Sequence, residues 1–171
     1  MKQFYSRSFS ILLLIVFVLI SFGCGKDIET TPVSPFSDAT WDDTAKEILS
    51  YEGDDFTTYD SVYGGLCYTY PKTYEGRQGT IKYMLDEEDC LKSIAFTFSA
   101  ENEQDLYGFF ELIEESINAK TPFDTDKATN SGHIWYRKEG NIVLSLMITT
   151  DLKALQYAYL HPDVSSKSDY Q

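Results

Sequence analysis

Ile81-Lys82-Tyr83-Met84-Leu85-Asp86-Glu87-Glu88-Asp89-Cys90-Leu91-Lys92-Ser93-Ile94-Ala95-Phe96-Thr97-Phe98 is two apolar alternations parted by four acids. Ile81, Tyr83 and Leu85 alternate with Lys82 and Met84, and Ile94, Phe96 and Phe98 alternate with Ala95 and Thr97. A period of two sends successive side chains to opposite faces of a strand. Asp86–Asp89 then reads as the turn of a hairpin. One apolar face per strand predicts an antiparallel sheet packed on a single side.

The same alternation recurs on either side of that hairpin. Upstream, Leu66, Tyr68 and Tyr70 alternate with Cys67 and Thr69, and Tyr74–Gly79, with two glycines, reads as the connecting loop. Further upstream, Thr40 is a candidate N-cap with Asp43 three residues on, followed by an apolar stripe of Trp41, Ala45, Ile48 and Leu49 and a stop at Gly53. Downstream, Leu106, Phe109, Phe110, Ile113 and Ile117 hold helical spacing over about Glu103–Ala119, with Pro122 beyond the end. Three more strands are expected at His133–Arg137, Ile142–Thr149 and Lys153–Leu160, with Glu139-Gly140-Asn141 as a tight turn.

Two stretches echo one another across the chain. Gly79–Tyr83 parallels Gly132–Tyr136, and Leu91–Phe98 parallels Leu152–Tyr159 more closely, the latter at an offset of 152 − 91 = 61. The expectation is an α+β fold, an antiparallel sheet of about six strands with two helices on one face, arranged as two helix-plus-three-strand halves. That layout is similar to small exported lipoproteins and to inhibitor-like domains of the beta-lactamase-inhibitory-protein type, a likeness of architecture that carries no function by itself.

The chain opens on a different kind of pattern. Lys2 and Arg7 precede an apolar run from Phe9 to Ile20, followed by Ser21-Phe22-Gly23-Cys24. The run is short for a membrane span, which needs about 20 residues, and has the layout of a secretory signal. Gly-Cys directly after such a run resembles the lipobox of bacterial lipoproteins, although Ser21 stands where that family favours Leu. The resemblance implies a signal peptide at 1–23, palmitate-type lipid on Cys24, and a lipid anchor at the extracytoplasmic face of the cell membrane. The remaining organisation is expected as a flexible tether at 24–39, rich in Thr, Ser and Pro, one domain at 40–164, and a disordered tail at 165–171.

Composition excludes several functions. The formal charge is −13, and residues 1–23 carry two bases and no acid, so an exported chain would be more acidic still. Such a chain is a poor partner for nucleic acid, which is bound by neutralising phosphates. Thirteen Tyr and eleven Phe fit half-buried strands rather than a disordered chain. No Ser-His-Asp set, phosphate-binding glycine loop, His-rich cluster or CxxC pair is present, so the chain reads as a non-catalytic binding module rather than an enzyme.

The alternative chemistry is calcium. Asp124-Thr125-Asp126-Lys127-Ala128-Thr129-Asn130-Ser131-Gly132 offers oxygen at Asp124, Asp126 and Asn130, without the sixth-position glycine or the closing Glu of an EF-hand. A surface hydrolase using paired carboxylates is the other alternative, and 27 acids make chance pairs common. Export permits a disulfide between Cys67 and Cys90, but alternation puts the two thiols on opposite faces of the sheet, so pairing is not expected.

Overall fold

The structure, a computed structural model, describes residues 31–165. The expected signal peptide, Cys24, residues 24–30 of the expected tether and residues 166–171 of the expected tail lie outside the described residues. Within them, the alternation at 81–98 becomes pairing. Strand β3 (Arg77–Asp86) runs antiparallel to β4 (Leu91–Ser99), with Ile81 opposite Phe96 and Tyr83 opposite Ile94. Asp86 holds the turn: its Oδ1 accepts from the backbone N–H of Cys90 (2.9 Å) and Glu88 (3.0 Å). Those bonds, with Lys92 at 3.2 Å, hold its carboxyl below the usual aspartate range. The register shifts between Met84 and Leu85, a bulge that places Leu91 opposite Leu85 in the core.

The sheet has eight strands, two more than the alternation predicts. Their spatial order is β1-β2-β3-β4-β8-β7-β6-β5, all pairs antiparallel. Here β1 is Thr57–Asp60, β2 Gly64–Tyr74, β5 Thr125–Thr129, β6 Gly132–Tyr136, β7 Ile142–Ile148 and β8 Lys153–Leu160. The additional strands, β1 and β5, are the two edges, and every residue in both is exposed. An edge strand wet on both sides has no apolar face, so a period-two reading finds nothing in TTYD or TDKAT.

Two helices lie on one face. Helix α1 (Ala45–Glu52) starts later than Thr40 predicts, at an N-cap of Thr44, whose N–H donates to the Glu47 carboxylate (3.0 Å). Thr40 instead donates its N–H and hydroxyl to Asp43, making a separate turn that leaves Trp41 outside the helix. Gly53, at φ 87°, ends α1 in a left-handed conformation that glycine adopts without strain. Helix α2 (Glu103–Lys120) is capped by Asn102, which accepts from the Asp105 N–H (2.9 Å), and it buries Leu106, Phe109, Ile113 and Ile117 as its spacing predicts.

The expected tether ends earlier than residue 39. Phe36 and Ala39 are buried in the core, and the Val33 N–H donates to the Ala39 carbonyl (2.9 Å). The Phe36 ring lies 5.2 Å from Tyr157, 5.5 Å from Tyr74 and 6.0 Å from both Phe96 and Tyr159. The Ser and Pro around it suggested a spacer, yet one buried aromatic ring outweighs a polar neighbourhood by roughly 1.5–3 kcal/mol. At the other end Ser165 is also structured, donating to the Leu160 carbonyl (3.0 Å) and accepting from the Asn141 N–H (3.1 Å).

Each half is one helix followed by a four-stranded meander, not a three-stranded one. The closer echo matches the repeat: adding the offset of 61 to Phe96 gives Tyr157, and these two residues lie directly opposite each other across β4 and β8. The Gly79/Gly132 echo equates β3 with β6, which are not equivalent; β7 is the partner of β3 in the repeat.

Candidate functional site

The sheet has one covered face and one open face, and the contrast between them defines the candidate site. Directly opposed residues share a face, so the register sorts every strand position. One set, including Tyr70, Ile81, Tyr83, Ile94, Phe96, Phe98, Leu144, Leu155, Tyr157 and Tyr159, forms the core beneath α1, α2 and Phe36. The other set has no helix over it among the described residues.

On the open face one cross-strand row reads Lys82, Ala95, Ala158, Val143, Ile134, Lys127. The next reads Thr80, Thr97, Gln156, Ser145, Gly132, Thr129. Ala95 and Ala158 are buried between longer neighbours, whereas Lys82, Val143, Ile134 and Gln156 are half-buried and form the surface. Tyr59 and Met147, 46% and 45% exposed, stand towards its two sides. Lys82 and Lys127 are the only charged residues in these two rows. Asp86 and Lys92, at the end of the β3–β4 hairpin, are paired to each other. In a chain of charge −13, the open face is bare of free carboxylates over its breadth. Lys82 and Lys127 are five strand spacings apart, about 24 Å at ~4.8 Å per strand.

The covered face carries a second feature, a cleft of about 200 Å3 between the C-terminal end of α2 and the 33–39 segment. Tyr74, Tyr157 and Tyr159 line it with Pro35, Glu75, Ser116, Ile117, Lys120 and Thr121. The Tyr157 and Tyr159 hydroxyls are 2.6 Å apart. Burial pushes both up from the ordinary tyrosine range, against the opposing pull of the Arg137 guanidinium, so both remain protonated donors. Burial and Glu75 raise Tyr74 to about 12. A larger cleft of about 460 Å3 lies on the other side of the segment, between Pro32–Asp38 and Lys72–Tyr74.

His133 is the most conspicuous polar residue in the second half, and its geometry is structural. It is buried, stacked on Trp135 at 4.0 Å, with Nδ1 2.6 Å from Glu114 of α2 and Nε2 2.7 Å from Asp126 of β5. Both ring nitrogens are engaged by carboxylates of the chain itself. Trp135 Nε1 donates to Asn118 (2.8 Å), and these contacts tie α2 to the edge of the sheet.

The residues singled out for calcium are spread along a hairpin. Asp126 lies in β5 and faces His133, Asp124 precedes the strand, and Asn130 lies in the β5–β6 turn. Among the described residues no three His, Cys, Asp or Glu side chains converge to hold a metal ion. Cys67 and Cys90 are both free, the first buried on the open-face side of β2 and the second exposed beside the Asp86 turn. No helix among the described residues is long and apolar enough to cross a membrane. Comparison with protein-family models, with curated proteins and with solved structures returned no match in any of the three.

The open face was not legible as a surface from sequence. Its residues are the minority members of each alternation, and they carry a signal only after the register aligns them. What could have pointed to it is the absence of Asp and Glu from the positions of the two central open-face rows across six consecutive strands in so acidic a chain.

Proposed function

We propose that this chain is an exported lipoprotein, anchored through lipid on Cys24, that works as a non-catalytic binding module at the extracytoplasmic face of the cell membrane. Its open sheet face takes a protein of the envelope. The observation that supports this reading is the open face itself: among the described residues, a broad surface with no helix over it and no unpaired acid in its two central rows, on a chain of charge −13. A like-charged surface repels most partners. An Ala-Ala-Val-Ile row beside Lys82 suits a partner segment with an apolar centre and a carboxylate towards one end.

Two experiments test it. Labelling cells with a palmitate analogue should mark the chain, and a Cys24→Ala form should lose the mark; label retained by Cys24→Ala removes the anchor. Affinity capture from native membranes should recover a protein that the Gln156→Glu, Thr80→Glu double variant no longer retains. Capture that is indifferent to those two charges removes the open face as the binding surface.

A further inference from the structure

We infer that the tyrosine-floored cleft between the end of α2 and the 33–39 segment is a binding site for a small neutral polyhydroxylated ligand, of the size and chemistry of a single sugar residue. The argument begins with hydrogen-bond accounting. Each tyrosine hydroxyl brings one hydrogen. Across the 2.6 Å Tyr157–Tyr159 contact one hydroxyl donates, and the hydrogen of the other has no acceptor among the described residues. Buried polar groups are seldom left that way. Both tyrosines line a cleft of about 200 Å3 together with Tyr74, so the unspent donor belongs to a residue of its wall. That volume equals about seven waters at ~30 Å3 each, room for a sugar ring and little more.

Charge then selects the class of ligand. The Ile117 carbonyl accepts from the Thr121 N–H (2.9 Å), and the carbonyls after it have no partners within the helix and form the negative end of its dipole. Together with Glu75 at the rim and the −13 field of the chain, they oppose an anion. Arg137, close enough to act electrostatically on both hydroxyls, and Lys120 at the rim oppose a cation. What remains is a neutral ligand that both donates and accepts. Its hydroxyls meet the tyrosine donor on one side and helix-end carbonyls and Ser116 on the other. Nothing in this argument depends on the open face or on the anchor, and the two sites lie on opposite faces of the sheet.

The test uses the full chain in a zwitterionic detergent, since a sugar-headed detergent would compete. With 13C-labelled tyrosine, ring signals are followed by NMR during titration with D-glucose, D-galactose and D-mannose and with their methyl glycosides. The free sugars represent a soluble ligand, and the glycosides represent the terminal residue of a chain. Saturable shifts of Tyr74, Tyr157 or Tyr159 with at least one of the six are expected. The Tyr157→Phe, Tyr159→Phe variant, which keeps both rings, should weaken that ligand about tenfold or more. Ser116→Val, at the wall, should weaken it without altering the floor. Absence of shifts with all six compounds, or an affinity unchanged in both variants, overturns the assignment.

Discussion

The two faces of one sheet show opposite solutions to burial. On the helix side, Phe36, Phe96, Phe109, Tyr157 and Tyr159 meet at centroid distances of 5.1–6.5 Å with their neighbours, mostly edge-to-face. On the open side the same strands carry Ala95, Ala158, Ser145 and Thr97, residues too small to form a core of their own. Stability therefore belongs to one face and is nearly absent from the other. A surface freed from holding the fold together is free to be shaped by contact with something else.

The largest test of that division is Phe96→Ala. It removes a fully buried ring beneath Phe36, Tyr74 and Phe109 and should cost about 3–5 kcal/mol in denaturant unfolding. Phe36→Ala should approach the same loss, because that ring closes the core from outside the helices. A loss under about 0.5 kcal/mol for Phe36→Ala would return residues 33–39 to the role of a spacer.

His133→Ala comes next. It removes two hydrogen bonds to partly exposed carboxylates and the stack on Trp135, for about 1–2 kcal/mol. Hydrogen exchange should accelerate most in β5 and β6. Uniform acceleration across the sheet would mean that the histidine is not the local tie of α2 to that edge.

The open face should respond in the opposite way. Thr97 has a buried hydroxyl without a partner, so Thr97→Val should leave stability unchanged or raise it by a few tenths of a kcal/mol. A loss above about 1 kcal/mol would show this face to be part of the load on folding.

The smallest effect concerns pH. Burial lowers the pKa of His161, while Asp86 and Glu47 are held low by hydrogen bonds from Cys90 and from Thr44 respectively. For His161 the unfolded chain binds the proton more readily, so stability rises with pH between its lowered folded value and 6.5. For the two carboxylates the stabilisation is present above their unfolded values and is lost as pH falls through the folded ones. All three predict a melting temperature that falls on acidification. His161→Gln should flatten the part of that fall just below pH 6.5, and an unchanged slope there would exclude the histidine.

The sequence was most readable where one face is buried. The alternation of Ile81–Leu85 and Ile94–Phe98, the stripe of α2 and the stop at Gly53 all follow from burial on a single side. It was least readable where burial is absent or comes from afar. Thr57–Asp60 and Thr125–Thr129 bury no side chain, so their residues carry no apolar alternation. Phe36 is buried by residues 38 to 123 positions distant, and its Ser and Pro neighbours describe only the local chain. The candidate site belongs to the same class. Lys82 and Lys127 become two ends of one row only when five strand pairings are fixed.

The central claim is that the open face is the one that is used. Site-specific photo-crosslinking in intact cells addresses it directly, with the crosslinker placed in turn at Gln156 on the open face and at Glu111 on the outer side of α2. Adducts from position 156 and none from position 111 are predicted. Adducts from position 111 with none from position 156 would contradict the account.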